Sequence, residues 1–282
     1  MRDVCVITGG GSGMGLAAAK CMPKEKIIVL SGRTVAKLEK AVSELEALGY
    51  EAHPFACDTS KRENVQAIAE YAASLGNVRS VINAAGLSPA MAKPEQLLRV
   101  NALGTVNVNQ EFSKVMRPGS VIVDVSSNSA YVLPDFMVGK KSLQTAEANP
   151  EKFVKKLLRL CNLVPGDYQK SGLAYALSKK FVCKYAQMCA FAYGEKGIRV
   201  VSLSPGLIAT EMGNLEAKEG GKMLRYAAER RMGTPEELGY ALATLADERN
   251  GYLAGVDVLA DGGSSFGKRF RKKRAARPSY AH

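Results

Sequence analysis

The sequence predicts an α/β fold, in which a doubly wound parallel sheet is covered by helices on both faces. Three observations support this prediction. Short, continuous apolar runs alternate with longer stretches of helical spacing, a glycine-rich turn joins the first run to the first helical stretch, and 46% of the 282 residues are apolar against 23% charged. Continuous apolar runs are typical of strands buried on both faces, and their alternation with helices is typical of a parallel sheet.

The predicted strands and helices alternate along the chain. Apolar runs predict buried strands at 4–7, 27–30 and 121–123, and further candidates at 80–82, 200–203 and 256–259. Apolar residues at helical spacing predict helices at 15–22, 35–48, 62–75, 95–116 and 173–194. This order favours crossover connections between parallel strands.

One segment interrupts this order, because residues 131–172 contain no strand signal. Within it, Asn149 and Pro150 are typical of a helix start, as the N-cap and the first helical residue, and an amphipathic run follows them. We therefore expect a single domain over residues 1–267 that carries a helical insertion at about 131–172.

Charge is concentrated at the C-terminus. The formal net charge is +12, and residues 268–282 contain seven basic side chains and no acidic one. Without these seven, 32 basic residues face 27 acidic ones, so the rest of the chain gives little reason to expect a nucleic-acid surface. The basic tail is interpreted as a disordered end, as a segment that docks at a subunit interface or over the substrate entrance, or as a site for an acidic partner or nucleic acid.

Cysteine and histidine usage predicts no metal site. The six cysteines form no CxxC pair, and the chain has only two histidines. Most cysteines lie in apolar stretches, so buried free thiols are expected. No apolar run approaches the roughly 20 residues that span a bilayer, and the N-terminus lacks the pattern of a signal peptide. We therefore expect a cytoplasmic protein.

The glycine-rich turn predicts a nucleotide site. Residues 8–15 read Thr-Gly-Gly-Gly-Ser-Gly-Met-Gly, between the first strand and the first helix. Glycines let the backbone turn sharply and approach a pyrophosphate, to which the helix N-terminus presents unpaired N–H groups. A turn that binds no nucleotide is the alternative. A strand, a loop of this kind and a helix together indicate a Rossmann-like sheet.

Further segments follow in the order found in one protein family. They are Asp58, the Asn-Ala-Ala-Gly segment 83–86, Asn101, Ser127, the YxxxK pair Tyr175 and Lys179, the Ser-Pro-Gly segment 204–206 with Thr210, and the Asp-Gly-Gly segment 261–263. With these and the TGxxxGxG loop, the chain from Val4 to about Gly263 resembles the short-chain dehydrogenase/reductase family. The resemblance implies an oxidoreductase that binds a nicotinamide dinucleotide.

The resemblance also implies the cofactor-binding residues. They are Gly9, Gly11, Ser12, Gly13, Met14, Gly15, Arg33, Asp58, Asn83, Ala84, Gly86, Tyr175, Lys179, Pro205, Gly206 and Thr210. The end of the second strand, Ser31-Gly32-Arg33, has no acid to accept a hydrogen bond from the ribose 2′-OH of NAD. Arg33 could instead form forked hydrogen bonds to a 2′-phosphate. We therefore expect NADP(H) in preference to NAD(H), with a solvated Arg33 as the alternative.

The expected reaction centre consists of Asn101, Ser127, Tyr175 and Lys179. Tyr175 and Lys179 are four residues apart, so they share a helix face. Lowering a phenol pKa from ~10 to about 7 requires about 4 kcal/mol, and an ammonium ~4 Å away supplies about that much at an effective dielectric near 20. By resemblance, Tyr175 exchanges the proton of the substrate oxygen during hydride transfer and Ser127 hydrogen-bonds that oxygen. Lys179 binds the nicotinamide ribose, and Asn101 holds a relay water.

The insertion separates Ser127 from Tyr175 by 48 positions. This spacing resembles the 3α-hydroxysteroid dehydrogenase/carbonyl reductase branch, which also carries extra helices before its YxxxK motif. There the extra helices are associated with subunit contacts, so we expect a homodimer or homotetramer. The large apolar side chains of the insertion would contact a partner subunit, line a hydrophobic entrance or close the insertion's own core. They are Phe136, Met137, Phe153, Leu157 and Leu160.

The region 211–231 resembles the family's mobile lid over the substrate. Met212, Met223, Leu224 and Met232 could offer adaptable apolar contacts there, or only pack. An apolar small-molecule ketone or alcohol, such as a steroid, is therefore favoured, with no membrane partner. The alternatives are a 3-oxoacyl-[acyl-carrier-protein] reductase and a non-catalytic, cofactor-sensing member of the family.

Overall fold

Seven parallel strands form one sheet in the order β3-β2-β1-β4-β5-β6-β7. The structure is a computed structural model that describes residues 1–270, apart from the side chains of 217–220, 222, 223, 268 and 269. The strands are β1 (Asp3–Thr8), β2 (Ile27–Gly32), β3 (Glu51–Ala56), β4 (Asn77–Asn83), β5 (Val121–Val125), β6 (Arg199–Pro205) and β7 (Asp257–Ala260). The doubly wound, Rossmann-like prediction is confirmed. Residues 271–282 of the predicted basic tail lie outside the described residues.

Helices cover both faces of the sheet. They are α1 (Gly13–Lys20), α2 (Val35–Ala47), α3 (Arg62–Leu75), α4 (Pro94–Leu97), α5 (Gly104–Val115), α6 (Lys140–Ala148), α7 (Pro150–Cys161), α8 (Asp167–Gly194), α9 (Glu211–Leu224), α10 (Pro235–Leu245) and α11 (Ser264–Phe270). One core lies between the sheet and α1, α2 and α10. The other lies between the sheet and α3, α5 and α8. Within residues 1–270, no helix is both long enough and apolar enough to cross a membrane.

Two details of the predicted element order differ from the structure. Strand β3 was not among the predicted strands, because it lies at the sheet edge, exposes three of its six residues and contains Pro54. The single helix predicted at 95–116 is divided instead. A π-helical turn at Leu98–Leu103 joins α4 to α5, and it contains Asn101. Such turns occur frequently at functional sites.

The insertion folds against α8 and joins the core of the protein. Asn149 caps α7 by accepting a hydrogen bond from the Lys152 amide at 2.9 Å, as predicted. Phe153 is buried, and its ring centroid lies 4.9 Å from that of Phe181 on α8. Leu157 is also buried in this core, whereas Phe136 remains 83% exposed.

The position of the insertion corrects one expectation. Of the predicted insertion, 131–172, Gly172 lines the large cavity at the end of the sheet, whereas none of the five predicted apolar side chains does; these are Phe136, Met137, Phe153, Leu157 and Leu160. The apolar side chains of α7 therefore pack on α8 and do not form a hydrophobic entrance. The six cysteines are free thiols, and all but Cys21 are buried, so that prediction is confirmed.

Candidate active site

Two neighbouring cavities lie at the carboxyl ends of the strands. The chain winds outward from β1 in both directions, and ligands of such sheets bind where the strand order reverses. The larger cavity has a volume of about 520 Å³ and is bordered by the ends of β5, β6 and β7. The smaller cavity has a volume of about 170 Å³ and lies beyond β1, β2 and β3. Both share Gly86 and Leu87 in their walls.

The glycine loop leaves no room for side chains where the chain turns into α1. Gly9 has a φ of +66°, and a Cβ there would lie 2.9 Å from the main chain of Ala84. A Cβ on Gly15 would collide with the carbonyl oxygen of Gly9. Gly9, Gly11 and Ser12 line the smaller cavity, and the N-terminus of α1 begins at Gly13. This backbone fits a dinucleotide phosphate, which needs exposed N–H groups and close approach.

Arg33 and Asp58 lie in the wall of the smaller cavity, beyond the ends of β2 and β3. Among the described residues, the exposed Arg33 side chain has no hydrogen-bond or ion-pair partner, so its guanidinium is available to a ligand. The Asp58 carboxylate accepts hydrogen bonds from Ser60, at 3.0 Å from its amide and 2.7 Å from its hydroxyl. Nearby, Lys37 forms an ion pair with Glu211 on α9 at 2.8 Å.

The remaining predicted cofactor residues divide between the large cavity and the supporting structure. Those in the large cavity are Met14, Ala84, Gly86, Tyr175, Lys179, Pro205, Gly206 and Thr210. Gly13 lies beside Thr210, since a Cβ on Gly13 would be 3.3 Å from the Thr210 methyl group. Gly15 supports the loop from behind. Asn83 lines neither cavity.

Ser127, Tyr175 and Lys179 meet in the wall of the large cavity. Ser127 follows β5 and accepts a hydrogen bond from the Ser129 amide at 3.2 Å, which fixes its hydroxyl at the start of a 3₁₀ turn, Asn128–Val132. The Ser127 hydroxyl is close enough to that of Tyr175 to lower the pKa of the phenol. The Lys179 ammonium lies 5.8 Å from the centroid of the Tyr175 ring. The structure thus brings these three predicted residues together.

The pKa of Tyr175 in the protein alone lies above its ordinary value. Its pKa is raised to about 12, chiefly by burial and to a smaller extent by the Glu216 carboxylate, while the Ser127 hydroxyl lowers it. This pKa belongs to the protein without a nicotinamide, whose oxidised, positively charged ring is expected to help Lys179 lower it, so a pKa near 7 in the complex stays a prediction. The Lys179 ammonium donates to the Val125 carbonyl oxygen at 2.9 Å. Burial also lowers the pKa of Lys179 itself, to about 8. At neutral pH the phenol is a proton donor.

Asn101 lies behind the cavity wall, in the π-helical turn. Its amide group donates to the Leu87 carbonyl oxygen at 2.9 Å and to Ser178 at 3.2 Å, and its Oδ1 accepts from the Leu87 amide at 2.8 Å. A Cβ on Gly86 would lie 3.2 Å from this Oδ1 and 3.4 Å from the Lys179 ammonium. Only glycine fits comfortably between these groups. Asn101 therefore orders the wall beside Lys179, and its role in proton relay stays a prediction.

Asp124 is a buried residue of the site that the sequence analysis missed. This β5 carboxylate accepts hydrogen bonds from Asn83 at 2.9 Å and from Asn109 at 3.0 and 2.9 Å. Burial raises its pKa to about 6, although both amides and the nearby Lys179 charge lower it. Asn83 is thereby held between Asp124 and Thr8, whose hydroxyl donates to it at 2.8 Å. The side chain of Asn83 supports the strand ends instead of lining a cavity.

The helix α9 carries part of the opposite wall. Met212, Glu216 and Leu224 line the large cavity, and the side chain of Met223 lies outside the described residues. Met232 is not in this wall. The Ala90 amide donates to the Glu216 carboxylate at 3.4 Å. Glu216 was not predicted, because nothing in its local sequence distinguishes it from a solvated acid on a helix.

Two family models match consecutive parts of the chain. The model described as short chain dehydrogenase matches residues 3–138, and the model described as Enoyl-(Acyl carrier protein) reductase matches residues 165–265. Helices α6 and α7 of the insertion fall between the two matches.

Individual proteins match along most of their length. Short-chain dehydrogenase/reductase bsc3 from Alternaria brassicicola is 29% identical over 268 residues, which cover 93% of this chain and 96% of that protein. Cyclohexanol dehydrogenase from an Acinetobacter species is 27% identical over 270 residues, covering 93% of this chain and 94% of that protein. A solved short chain dehydrogenase from Burkholderia cenocepacia, in complex with NADP, has the same fold. Its TM-score is 0.73 at 20% identity, over 93% of this chain and 97% of that one.

Proposed function

Since this chain belongs to the short-chain dehydrogenase/reductase family and is an oxidoreductase that acts on CH–OH groups, we propose that it interconverts a secondary alcohol and a ketone with NADP(H). One observation carries the proposal. Ser127 and Tyr175 lie together in the wall of a 520 Å³ cavity, and the Lys179 ammonium lies 5.8 Å from the centroid of the Tyr175 ring.

The residues of the site divide the chemistry between them. The loop 8–15, with Arg33 and Asp58, would hold the nucleotide half of the cofactor, and Lys179 with Thr210 would hold the nicotinamide half. When bound, the nicotinamide supplies a hydride to the substrate carbon or accepts one from it. Tyr175 donates a proton to the ketone oxygen during reduction, and its raised pKa keeps that proton available at neutral pH. During oxidation the Tyr175 phenolate accepts the proton of the alcohol, so oxidation should become faster as the pH rises. Ser127 orients the same oxygen by a hydrogen bond.

The proposed preference for NADP(H) rests on Arg33. Its guanidinium is unpaired among the described residues and lies in the wall of the smaller cavity. A guanidinium forms strong, forked hydrogen bonds with a phosphate, and no acidic residue at the end of β2 repels one. The NADP in the Burkholderia cenocepacia structure supports this preference.

The proposed substrate is a small, largely apolar alcohol or ketone. Leu87, Pro89, Met212 and Leu224 contribute apolar walls to the cavity. The relative named cyclohexanol dehydrogenase supports an alicyclic alcohol. The same apolar walls favour a hydroxysteroid or another carbonyl compound as substrate, so the proposal includes hydroxysteroid dehydrogenase and carbonyl reductase activity.

Reduction of a 3-oxoacyl group on an acyl carrier protein is a second candidate. The model described as Enoyl-(Acyl carrier protein) reductase, which matches residues 165–265, favours it. The insertion does not oppose it, because α6 and α7 pack on α8 away from the cavity wall.

We further propose that the protein forms a homodimer or homotetramer. Large apolar side chains are exposed on the described surface, among them Val132, Phe136, Phe191 and Tyr252. Exposed side chains of this kind are typical of subunit contacts when they are contiguous. Light scattering that gives the mass of a single chain would contradict this proposal.

Turnover assays test the proposed function directly. Cyclohexanol, a hydroxysteroid and a 3-oxoacyl thioester are supplied in turn with NADP(H) or NAD(H), while the absorbance of the reduced nicotinamide is followed. The proposal expects turnover of the alcohol with NADP⁺ at a kcat/KM at least about tenfold above that with NAD⁺. Reaction of the thioester alone would favour the second candidate, and a strong preference for NAD⁺ would reject the role of Arg33.

A further inference from the structure

Glu216 places a carboxylate in an otherwise largely apolar cavity wall. It lies on α9, and the same wall contains Leu87, Pro89 and Met212. Its charge raises the pKa of Tyr175, so the carboxylate is within electrostatic reach of the phenol that contacts the substrate oxygen.

The other acidic groups of this cavity differ from Glu216. Glu237 forms a bidentate ion pair with Arg231, at 2.8 and 2.6 Å. Asp261 accepts hydrogen bonds at 2.8 Å from the Ser264 hydroxyl and the Ser265 amide. Glu229 is exposed at the rim.

Within the described residues, Glu216 has one long hydrogen bond, 3.4 Å from the Ala90 amide, and no cationic partner. Its carboxylate therefore has free acceptor capacity that faces the cavity.

This free capacity has a consequence for the ligand. A substrate that displaces water from the cavity also removes water from the carboxylate, and a desolvated charge without a partner is unfavourable. A substrate with a donor group at that place restores a charge-assisted hydrogen bond. We propose that Glu216 is a specificity-determining residue. It selects secondary alcohols that carry a second hydrogen-bond donor, a hydroxyl or an ammonium group, on the same ring or chain as the reacting carbon. The inference rests on the proposed function.

A series of matched alcohols tests the selection. The wild-type protein is assayed with cyclohexanol, with the 1,2-, 1,3- and 1,4-cyclohexanediols, and with the corresponding amino alcohols, which separate a hydroxyl from an ammonium donor. We expect at least one difunctional alcohol to have a kcat/KM about 10- to 100-fold above that of cyclohexanol, since a hydrogen bond to a charged group has about this effect.

Two variants of Glu216 assign the effect to the carboxylate. Glu216→Leu should remove the preference, because KM should rise for the difunctional alcohol more than for cyclohexanol and the ratio of the two kcat/KM values should fall to about one. Glu216→Gln should keep part of the preference for a diol, because its amide oxygen still accepts. The neighbouring, exposed Leu215 provides the control, and Leu215→Gln should leave kcat/KM unchanged for both cyclohexanol and the difunctional alcohol.

The outcomes separate this inference from the proposed function. Turnover of cyclohexanol without any preference for a difunctional alcohol overturns the inference alone. An equal loss for all substrates in Glu216→Leu overturns it too. If the wild-type protein oxidises neither these alcohols nor the hydroxysteroid, the proposed function fails and the inference fails with it.

Discussion

The cofactor side and the substrate side of this site are built in different ways. The cofactor side consists of backbone held in a tight loop, where Gly9 and Gly15 leave no space for a Cβ. The substrate side consists of side chains from distant segments, such as Ser127 after β5, Tyr175 on α8 and Glu216 on α9. Backbone geometry leaves a local signature in the sequence, whereas a wall assembled from separate helices does not. Four substitutions compare these two sides with each other and with the buried residues that support them.

Tyr175→Phe should have the largest effect. Removing the phenol oxygen removes the proton donor of the substrate side, so kcat should fall by about 10²- to 10⁴-fold. Because the cofactor side is untouched, the Kd for NADPH, measured by titration, should stay within a few-fold of wild type. The exposed Tyr252 offers a control in Tyr252→Phe, which should be fully active. Substantial turnover by Tyr175→Phe would contradict the assignment.

Phe153→Ala tests whether the insertion belongs to the scaffold. Its ring is buried against Phe181, so the free energy of unfolding should fall by about 3–5 kcal/mol, as for other buried Phe→Ala changes. KM should not change, since α7 lies away from the cavity. Denaturant titration gives the stability, and Leu163→Ala, at an exposed site, should shift it by less than about 0.5 kcal/mol. A raised KM at unchanged stability would place the insertion at the substrate side.

Asp124→Asn tests the buried network that joins the two sides. Because burial raises the pKa of Asp124 from 3.8 to about 6, the fold favours the protonated carboxyl. The protonated Asp124 carboxyl contributes fully to the free energy of unfolding below about pH 4, and this contribution is lost as the pH rises to about 6 and above. Across that window the wild type should lose about 3 kcal/mol of unfolding free energy relative to Asp124→Asn. Urea titrations of both proteins at several pH values measure the difference, and parallel pH dependences would refute this titration.

Arg33→Ala should have the smallest effect, confined to the cofactor side. The ratio of kcat/KM with NADP⁺ to that with NAD⁺ should fall by about 10- to 100-fold, because a charge-assisted contact to the 2′-phosphate is lost. Turnover with NAD⁺ should hardly change. Arg117 is exposed at the opposite end of the sheet, before β5, so Arg117→Ala is the matched control. An unchanged ratio in Arg33→Ala would mean that Arg33 is solvated, as in the alternative interpretation.

The sequence was most informative where local chemistry determines structure. Apolar runs predicted the buried strands, Asn149 and Pro150 predicted the start of α7, and the glycine pattern predicted the loop. The capping box of α10, Thr234 with Glu237, is a local signal of the same kind. Edge strand β3 escaped prediction because its exposed positions interrupt the apolar run.

The remaining features depend on contacts between distant residues. The partners of Asp124 come from β4 and α5, and only the folded chain shows that this acid is buried. The burial that raises the pKa of Tyr175 and the direction of the Lys179 ammonium, toward the Val125 carbonyl oxygen, likewise cannot be seen in a helical spacing of four. The place of Glu216 in the cavity wall also cannot be seen in the sequence, because it depends on how α9 packs in the folded chain.

Deuterium transfer tests the central claim most directly. Cyclohexanol with deuterium on its carbinol carbon is oxidised by the wild-type protein in the presence of NADP⁺, and the reduced cofactor is analysed by mass spectrometry. If the site joins alcohol and cofactor as proposed, each ketone formed should be matched by one deuterium in the NADPH. Formation of ketone without deuterium in the cofactor would contradict the account.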